Sequence, residues 1–353
     1  MRRAELIFDR PEDRFARTPP EERGRGRDNV RLLVTLADGH RHARFEDLPQ
    51  YLRSGDLLVV NESAAIPASL PAEGRLGGIL LNLCTRFRSD LWIAEPRWSA
   101  GKPGPLPVRP GDELRVGAST VRLLSEYPGL PRLWFALADR PFESIIAENG
   151  GPIHYGYTDA WPMEVYQTLF SRVPGSAEMP SAARPITPRI RELVLEAGVR
   201  IAPIVLHTGV SSLEIEGETV EAEAMYPEPF SVSRETADAV NRAHASGGRV
   251  IAVGTTVVRA LESAWTPEGV RPRTGYSRLM VNPDRGVHAV DGLLTGFHDP
   301  VTSHLALLAA FLGMEGVRDA YAEAIRKGYL WHEFGDSHLV LRAASGDGPD
   351  AVN

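Results

Sequence analysis

The chain has 353 residues, of which 43% are hydrophobic and 24% charged, and its formal net charge is −7. That much apolar material buries one or two cores, so disorder as the whole answer is excluded. No apolar run reaches the roughly 18–20 residues that span a bilayer, and the N-terminal MRRAELIFDRPEDRF has no apolar stretch of the secretory kind. Cys84 is the only cysteine, which excludes an internal disulfide and a thiolate metal cage. The acidic balance excludes a generic nucleic-acid coating protein, while one basic face remains compatible with it. The only lysines are Lys102 and Lys327, so mechanisms built on a tunable ammonium have little to work with. What remains is a soluble, cytoplasmic enzyme or binding protein.

In chain order, the first segment is an arm with nine arginines between Arg2 and Arg31 against seven carboxylates, read as a solvated surface or a polyanion contact. Arg31–Leu36 reads as a strand, and Asp38-Gly39 as a hairpin turn. Asp56–Val60 is a continuous apolar run, expected as a buried strand ending at Asn61. From Ala64 to Ile146 short alternating runs are separated by Gly, Pro and Asp clusters, with Gly101–Gly111 as a loop. That texture predicts a small antiparallel β-barrel or sandwich. After Glu148 helix and strand alternate. Thr187-Pro188 opens a helix that stops at Gly198, and Val199–Leu206 follows as a strand. Ser233 opens a second helix ending at Gly247-Gly248, before a strand at Arg249–Val253. A third is expected to start at Asp299-Pro300, with Asp299 as its cap, and Gly316–Lys327 adds another. The fold expected is an α/β core (1–63 and 151–345) into which, or onto which, a β unit, barrel or sandwich, is inserted (64–150), and a flexible tail at 346–353.

Ligands of α/β sheets gather at loops leaving the carboxyl ends of strands. Gly254-Thr255-Thr256 leads from a strand into a helix, offering free N–H groups, hydroxyls and the positive end of the helix dipole to an anion. Arg259 adds a bidentate clamp, with Glu262 on the same face to hold it. A capped structural helix with an i,i+3 ion pair explains the same spacing equally well. His207 ends the strand at 200–206, followed by Gly209 and the hydroxyls of Ser211 and Ser212. It reads as an acid/base group or as a hydrogen-bonded core histidine. His298, before the expected helix start, and Asp336, in the turn Phe334-Gly335-Asp336, are further candidates. No HExxH or comparable metal spacing occurs, and neither a GxSxG elbow nor a dinucleotide or Walker loop is present.

Taken together and in order, these segments resemble the S-adenosylmethionine:tRNA ribosyltransferase-isomerase family of queuosine biosynthesis. The resemblance runs through Arg27-Asp28 with Arg31-Leu32-Leu33-Val34, Tyr51-Leu-Arg-Ser-Gly-Asp-Leu-Leu-Val-Val-Asn61, Tyr166-Gln167-Thr168 and His207-x-Gly209. It continues through GGRVIAVGTTVVRALE (247–262), VDGLLTGFH (290–298) and FGDSHL (334–339). It implies an α/β core with an inserted barrel, and a reaction without metal or cofactor. S-Adenosylmethionine is then a substrate, its ribose passing to the aminomethyl group of a 7-deazaguanine in tRNA and rearranging there while adenine and methionine leave. Such chemistry needs a general base beside the sulfonium, hydrogen bonds where adenine departs, and a holder for the amino-acid end of the donor. His207, His298 and Asp336 are the candidate bases. Gly254, Thr255, Thr256, Arg259, Glu262, Tyr166, Gln167, Gly209 and Glu228 are the candidate substrate contacts.

The chain departs from the family pattern at several places. PTAGLHFT is replaced by Pro180-Ser-Ala-Ala-Arg-Pro-Ile-Thr187, HVGxGTF by His207–Leu213, and the histidine of MHxE by Tyr226, with Glu228 kept. NFHLPKS becomes Gly296-Phe-His-Asp-Pro-Val-Thr302, and TRVxPARL becomes Ser63–Leu70 without either arginine. Lost cations are what a chain released from gripping phosphates sheds. A divergent member that binds S-adenosylmethionine but serves a non-tRNA acceptor, or a catalytically silent binder, is therefore the alternative to the tRNA-acting enzyme.

Overall fold

The computed structural model describes residues 1–98, 106–154, 156, 158–210, 215 and 217–342. Part of the loop expected at Gly101–Gly111, Ser211 and Ser212, and the expected tail lie outside the described residues. The hairpin forms as expected, β1 (Arg31–Leu36) pairing antiparallel with β2 (Gly39–Arg44) across a two-residue turn. β3 (Leu57–Asn61) is buried at every position. Its continuous apolar run is explained by two cores: Leu57 and Val59 face one, Leu58 and Val60 the other.

A short β4 (Ser63–Ala65) leads into six strands, β5 (Ser69–Gly74), β6 (Gly77–Arg86), β7 (Leu91–Trp98), β8 (Glu113–Val116), β9 (Ser119–Tyr127) and β10 (Leu130–Ala138). They close into an antiparallel barrel in the order β10-β7-β6-β5-β8-β9. Closure removes both sheet edges. The interior is filled by Leu81, Leu83, Ile93, Val116, Val121, Leu123 and Ala136, all essentially inaccessible. Helix α1 (Phe142–Asn149) packs Phe142 and Ile145 into the same core. On its return the chain forms β11 (Val173–Ser176), parallel to β4, so outgoing and incoming strands are tied at the neck of the insertion.

The remainder builds the large sheet. Helix α2 (Pro188–Glu196) is capped as expected: Thr187 Oγ1 accepts from Ile190 N at 3.4 Å. Then come β12 (Arg200–Leu206), β13 (Glu228–Val232), α3 (Arg234–Ala245), capped by Ser233, β14 (Val250–Val253) and α4 (Thr255–Ala264). The small hairpin β15 (Trp265–Thr266) and β16 (Gly269–Val270) precedes β17 (Arg273–Ser277), β18 (Gly292–Gly296), α5 (Ser303–Arg326) and β19 (Ser337–Leu341). The nine-stranded order is β17-β13-β12-β3-β14-β18-β19-β1-β2. Strands β12, β3, β14 and β18 are mutually parallel, so their carboxyl ends share one edge. β19 runs antiparallel to β18, placing its amino end at that edge too.

One expected helix start is corrected. α5 begins at Ser303 with Thr302 in the cap position, and Asp299-Pro300 lies in the turn before it. The carboxylate that the sequence offers as a cap is taken by Arg10, 2.8 Å away, and His332, 3.2 Å away. The break before Gly316 is visible as a kink at Gly313, whose φ is 68°.

The sheet is locked at its opposite edge by Asp56, which is 1% exposed. Its carboxylate accepts from Arg53 N and Arg249 N and pairs with the Arg249 guanidinium at 2.6 Å. Removing one partner of a buried pair leaves the other uncompensated. Asp56→Ala is therefore expected to cost about 3–5 kcal/mol, read as a lowered urea midpoint at constant slope; a change below about 1 kcal/mol would contradict this role.

Candidate active site

The shared edge of the parallel strands opens into a cavity of about 540 Å3. Its floor comes from the loops after β14 and β18 and the start of α5. One wall comes from the 177–182 and 208–209 segments, and another from Met225 and Tyr226, which pack on the barrel core. The N-terminal arm contributes Arg10, and the segment before β19 contributes His332 and Glu333.

Gly254 takes φ of 99°, a conformation that a side chain would strain, and this turns the chain from β14 into α4 at the cavity. Thr255, Thr256 and Arg259 all line it. The first N–H groups of such a helix have no intrahelical partner, so its positive end faces the cavity. Asn61, fully buried, fixes this corner: its amide donates to Leu206 O at 2.8 Å and Thr256 Oγ1 at 3.3 Å. Its Oδ1 accepts from Ser63 N and Leu206 N.

Arg259 pairs with Glu228, and its Nε donates to Leu279 O at 3.1 Å. Its Nη2 is buried and has no partner among the described residues. Glu228 in turn accepts from Gly209 N at 3.2 Å. Gly209 is required where it stands, since a Cβ would lie 2.5 Å from both Cys84 Sγ and the Tyr226 ring. Tyr226, in place of the pattern's histidine, is buried with its hydroxyl 3.3 Å from Val210 O, and burial pushes its pKa well up.

Glu262 does not hold Arg259. Fully buried in its side chain, it pairs with Arg285 at 2.7 Å and accepts from His288 N and Ala289 N. Helical spacing put the two residues close along the axis, but Glu262 is claimed by the 285–289 loop behind the sheet edge. Its part is to fasten α4, not to line the cavity.

The three histidine and aspartate candidates separate. His298 lines the cavity, its Nε2 2.9 Å from Thr295 Oγ1. Burial, and to a lesser degree nearby histidines, pull its pKa well below the usual value. His207 lies behind the cavity wall, its Nδ1 2.7 Å from Ser63 Oγ, which contacts Ser176 Oγ at 2.6 Å. Burial lowers its pKa as well. Asp336 is spent on backbone, accepting from Arg31 N at 2.8 Å and Leu330 N at 2.9 Å, and burial raises its pKa. Tyr166 lines the cavity, whereas Gln167 pairs through its side-chain amide with both backbone groups of Ala65.

Sequence reasoning missed several residues. His304 stands at the start of α5 with its ring 4.4 Å from that of His298, and its Nδ1 is buried without a partner among the described residues. Arg10, Asp299 and His332 form a polar cluster in the wall. Burial alone would raise the Asp299 carboxyl, but His332 and Arg10 outweigh it and hold the pKa below its usual value. Val301 (φ 60°) and His332 (φ 72°) are the only non-glycine residues at positive φ among the described residues, and both line the cavity. Backbone strain of this kind collects at functional sites. The histidine beginning HLALLAAFL was a visible signal for His304; the Arg10 cluster joins distant segments and left none.

The fold is thus a mixed nine-stranded sheet with helices and a closed six-stranded antiparallel barrel inserted in sequence, with a cavity at the edge where the parallel strands end. Residues 4–340 match the family described as queuosine biosynthesis protein, and the chain belongs to that family. It is 36% identical to the S-adenosylmethionine:tRNA ribosyltransferase-isomerase of Moorella thermoacetica, covering 97% of this chain and 100% of the relative. It is 39% identical to the protein of the same name from Rubrobacter xylanophilus, over 97% and 98%. Among solved structures it is similar to S-adenosylmethionine tRNA ribosyltransferase from Thermotoga maritima, with a TM-score of 0.55 and 26% identity over 96% of this chain and 100% of that one. No helix among the described residues is long and apolar enough to cross a membrane.

Burial holds the His304 pKa at about 4, with Arg259 adding to the effect, against 6.5 for the ordinary side chain. Between these values the unfolded chain binds the proton and the folded chain does not. The stability this group confers is thus intact above pH 6.5 and is lost as pH falls toward 4. His304→Gln should flatten the pH dependence of the urea midpoint in that window by about one proton's worth of slope; an unaltered slope would show the ring to be solvated.

Proposed function

We propose that this chain is an S-adenosylmethionine:tRNA ribosyltransferase-isomerase, working in the cytoplasm on a 7-deazaguanine-bearing tRNA. The donor's ribose passes to the acceptor's aminomethyl group and rearranges, with release of adenine and methionine. The observation that carries the reading is Arg259. A guanidinium buried on Glu228, with one nitrogen that has no partner among the described residues, lines a cavity that also receives the positive end of α4. That combination suits the carboxylate of the donor's methionine end. The cavity also carries Glu178, Glu228, Asp299 and Glu333, which favours the cationic sulfonium.

His298 is the proposed base. Its ring is neutral at physiological pH, lies in the cavity wall, and is oriented by Thr295. His304 beside it offers a second neutral ring for hydrogen bonding where the purine departs. His207 is the proposed support of the wall and not a participant, because Ser63 and Ser176 occupy its surroundings.

Adenine and methionine release from S-adenosylmethionine, followed with and without precursor tRNA, tests the whole reading. Release that depends on the RNA is expected. Release without RNA would move the acceptor to a small molecule, and no release would leave a silent binder. Arg259→Lys, which keeps the charge opposite Glu228 but loses the fork, should raise the donor KM by about 100-fold, with a near-normal melting temperature. His298→Gln should lower kcat by about 100-fold or more, whereas His207→Gln should not; the reverse pattern would return the base to His207.

A further inference from the structure

A second concavity, outside the cavity already described, is lined by Arg25, Arg31, Arg44 and His42. Arginines elsewhere on this chain are commonly ion-paired, yet among the described residues none of these three is paired with a carboxylate. Arg31 donates to Lys327 O at 2.8 Å, with its guanidinium 3.8 Å above the Tyr329 ring, and Arg44 donates to Asn29 Oδ1 at 3.0 Å. Asp47, the carboxylate in the lining, is engaged by Arg44 N and the Gln50 amide. Like charges gathered in one hollow repel each other, and an acidic chain has many carboxylates that would relieve them. Three arginines without a direct ion pair among the described residues, against the single lining carboxylate of Asp47, leave the hollow net positive, which is what a polyanion requires.

The hollow is also tied to the cavity. Arg23 Nη2 donates to Phe334 O at 3.1 Å, and Arg31 N to Asp336. The intervening segment carries His332 and Glu333 into the cavity wall. From Glu333 to Asp336 the chain spans at most about 10 Å. The Arg31 N–H on Asp336 thus sets the rim of the hollow one short segment of chain from the cavity wall, where a polymer leaving the cavity meets it.

We propose that Arg25, Arg31 and Arg44 form a docking site for the phosphodiester backbone of the acceptor RNA, next to the reactive nucleotide. This rests on the tRNA-dependent reading above. It assigns part of the N-terminal arm to the polyanion contact.

The test uses the full chain and an anticodon stem-loop carrying 7-aminomethyl-7-deazaguanine, with binding measured by fluorescence anisotropy between 50 and 300 mM KCl. Arg25→Ala and Arg44→Ala should each reduce the slope of log K against log salt by about 1, and the double variant by about 2. At about 100 mM salt the double variant should bind at least about tenfold more weakly, with donor KM and melting temperature unaltered. Arg115→Ala, on the barrel where Arg115 pairs with Glu73, serves as control and should keep the wild-type slope. A double variant with the wild-type slope and affinity overturns the proposal, as does a control that loses as much. If the wild-type protein fails to bind the RNA yet releases adenine with the free modified base, the tRNA reading itself falls and takes this site with it.

Discussion

The buried pair between Arg259 and Glu228 is the joint on which the rest of the cleft depends. Arg259 belongs to α4 and Glu228 to β13, and Glu228 also receives the Gly209 N–H at the end of β12. One carboxylate therefore holds a helix start, a strand and a strand-end loop in a single arrangement. Neither charge is affordable alone at this depth, since an uncompensated buried ion costs several kcal/mol. The pair fixes the guanidinium in the cavity lining. A surface arginine would sweep many rotamers, and this one has little freedom left to lose when a ligand arrives.

Around that joint the sheet and barrel have separate tasks. The sheet supplies direction: four parallel strands end at one edge, so their following loops meet there by construction. The barrel supplies a wall. Tyr226 packs with Cys84 and Val210 in the barrel core while lining the cavity. A closed barrel has no edge to fray and holds such a wall rigidly. Tyr226 fills the place of a histidine in the family pattern, and the cavity's remaining imidazoles come from the loop after β18, from α5 and from the segment before β19.

Local signals account for what was legible in the sequence. The LLVV run announced a strand buried on both faces, Thr187-Pro188 a helix start, and the short alternating runs a barrel, because each depends on neighbours within a few residues. Gly254-Thr255-Thr256 and Arg259 were legible at the site for the same reason: strand, turn and helix follow one another directly. The failures share one cause. Asp299 has the chemistry of a helix cap, yet Arg10 arrives from the far end of the chain and takes its carboxylate. Glu262 has the right spacing for Arg259, yet Arg285 and two backbone N–H groups of a later loop claim it first. Asp336 looked like a turn carboxylate free for chemistry and is consumed by two backbone donors. In each case a long-range partner outbid the local one, and helical or turn spacing carries no information about such partners.

Net charge shows the same division between sum and placement. A total of −7 describes the average field, and screening confines any one charge's reach to about 10 Å at ordinary ionic strength. Beyond that average, the molecule holds two opposed environments. The cavity lining carries Glu178, Glu228, Asp299 and Glu333 against Arg10 and Arg259, while the hollow carries Arg25, Arg31 and Arg44. A sulfonium donor and a polyanionic acceptor demand opposite potentials, and a uniform surface of either sign would repel one of them. An acidic body with a short basic border beside an acidic cavity satisfies both, so the overall charge does not argue against an RNA acceptor.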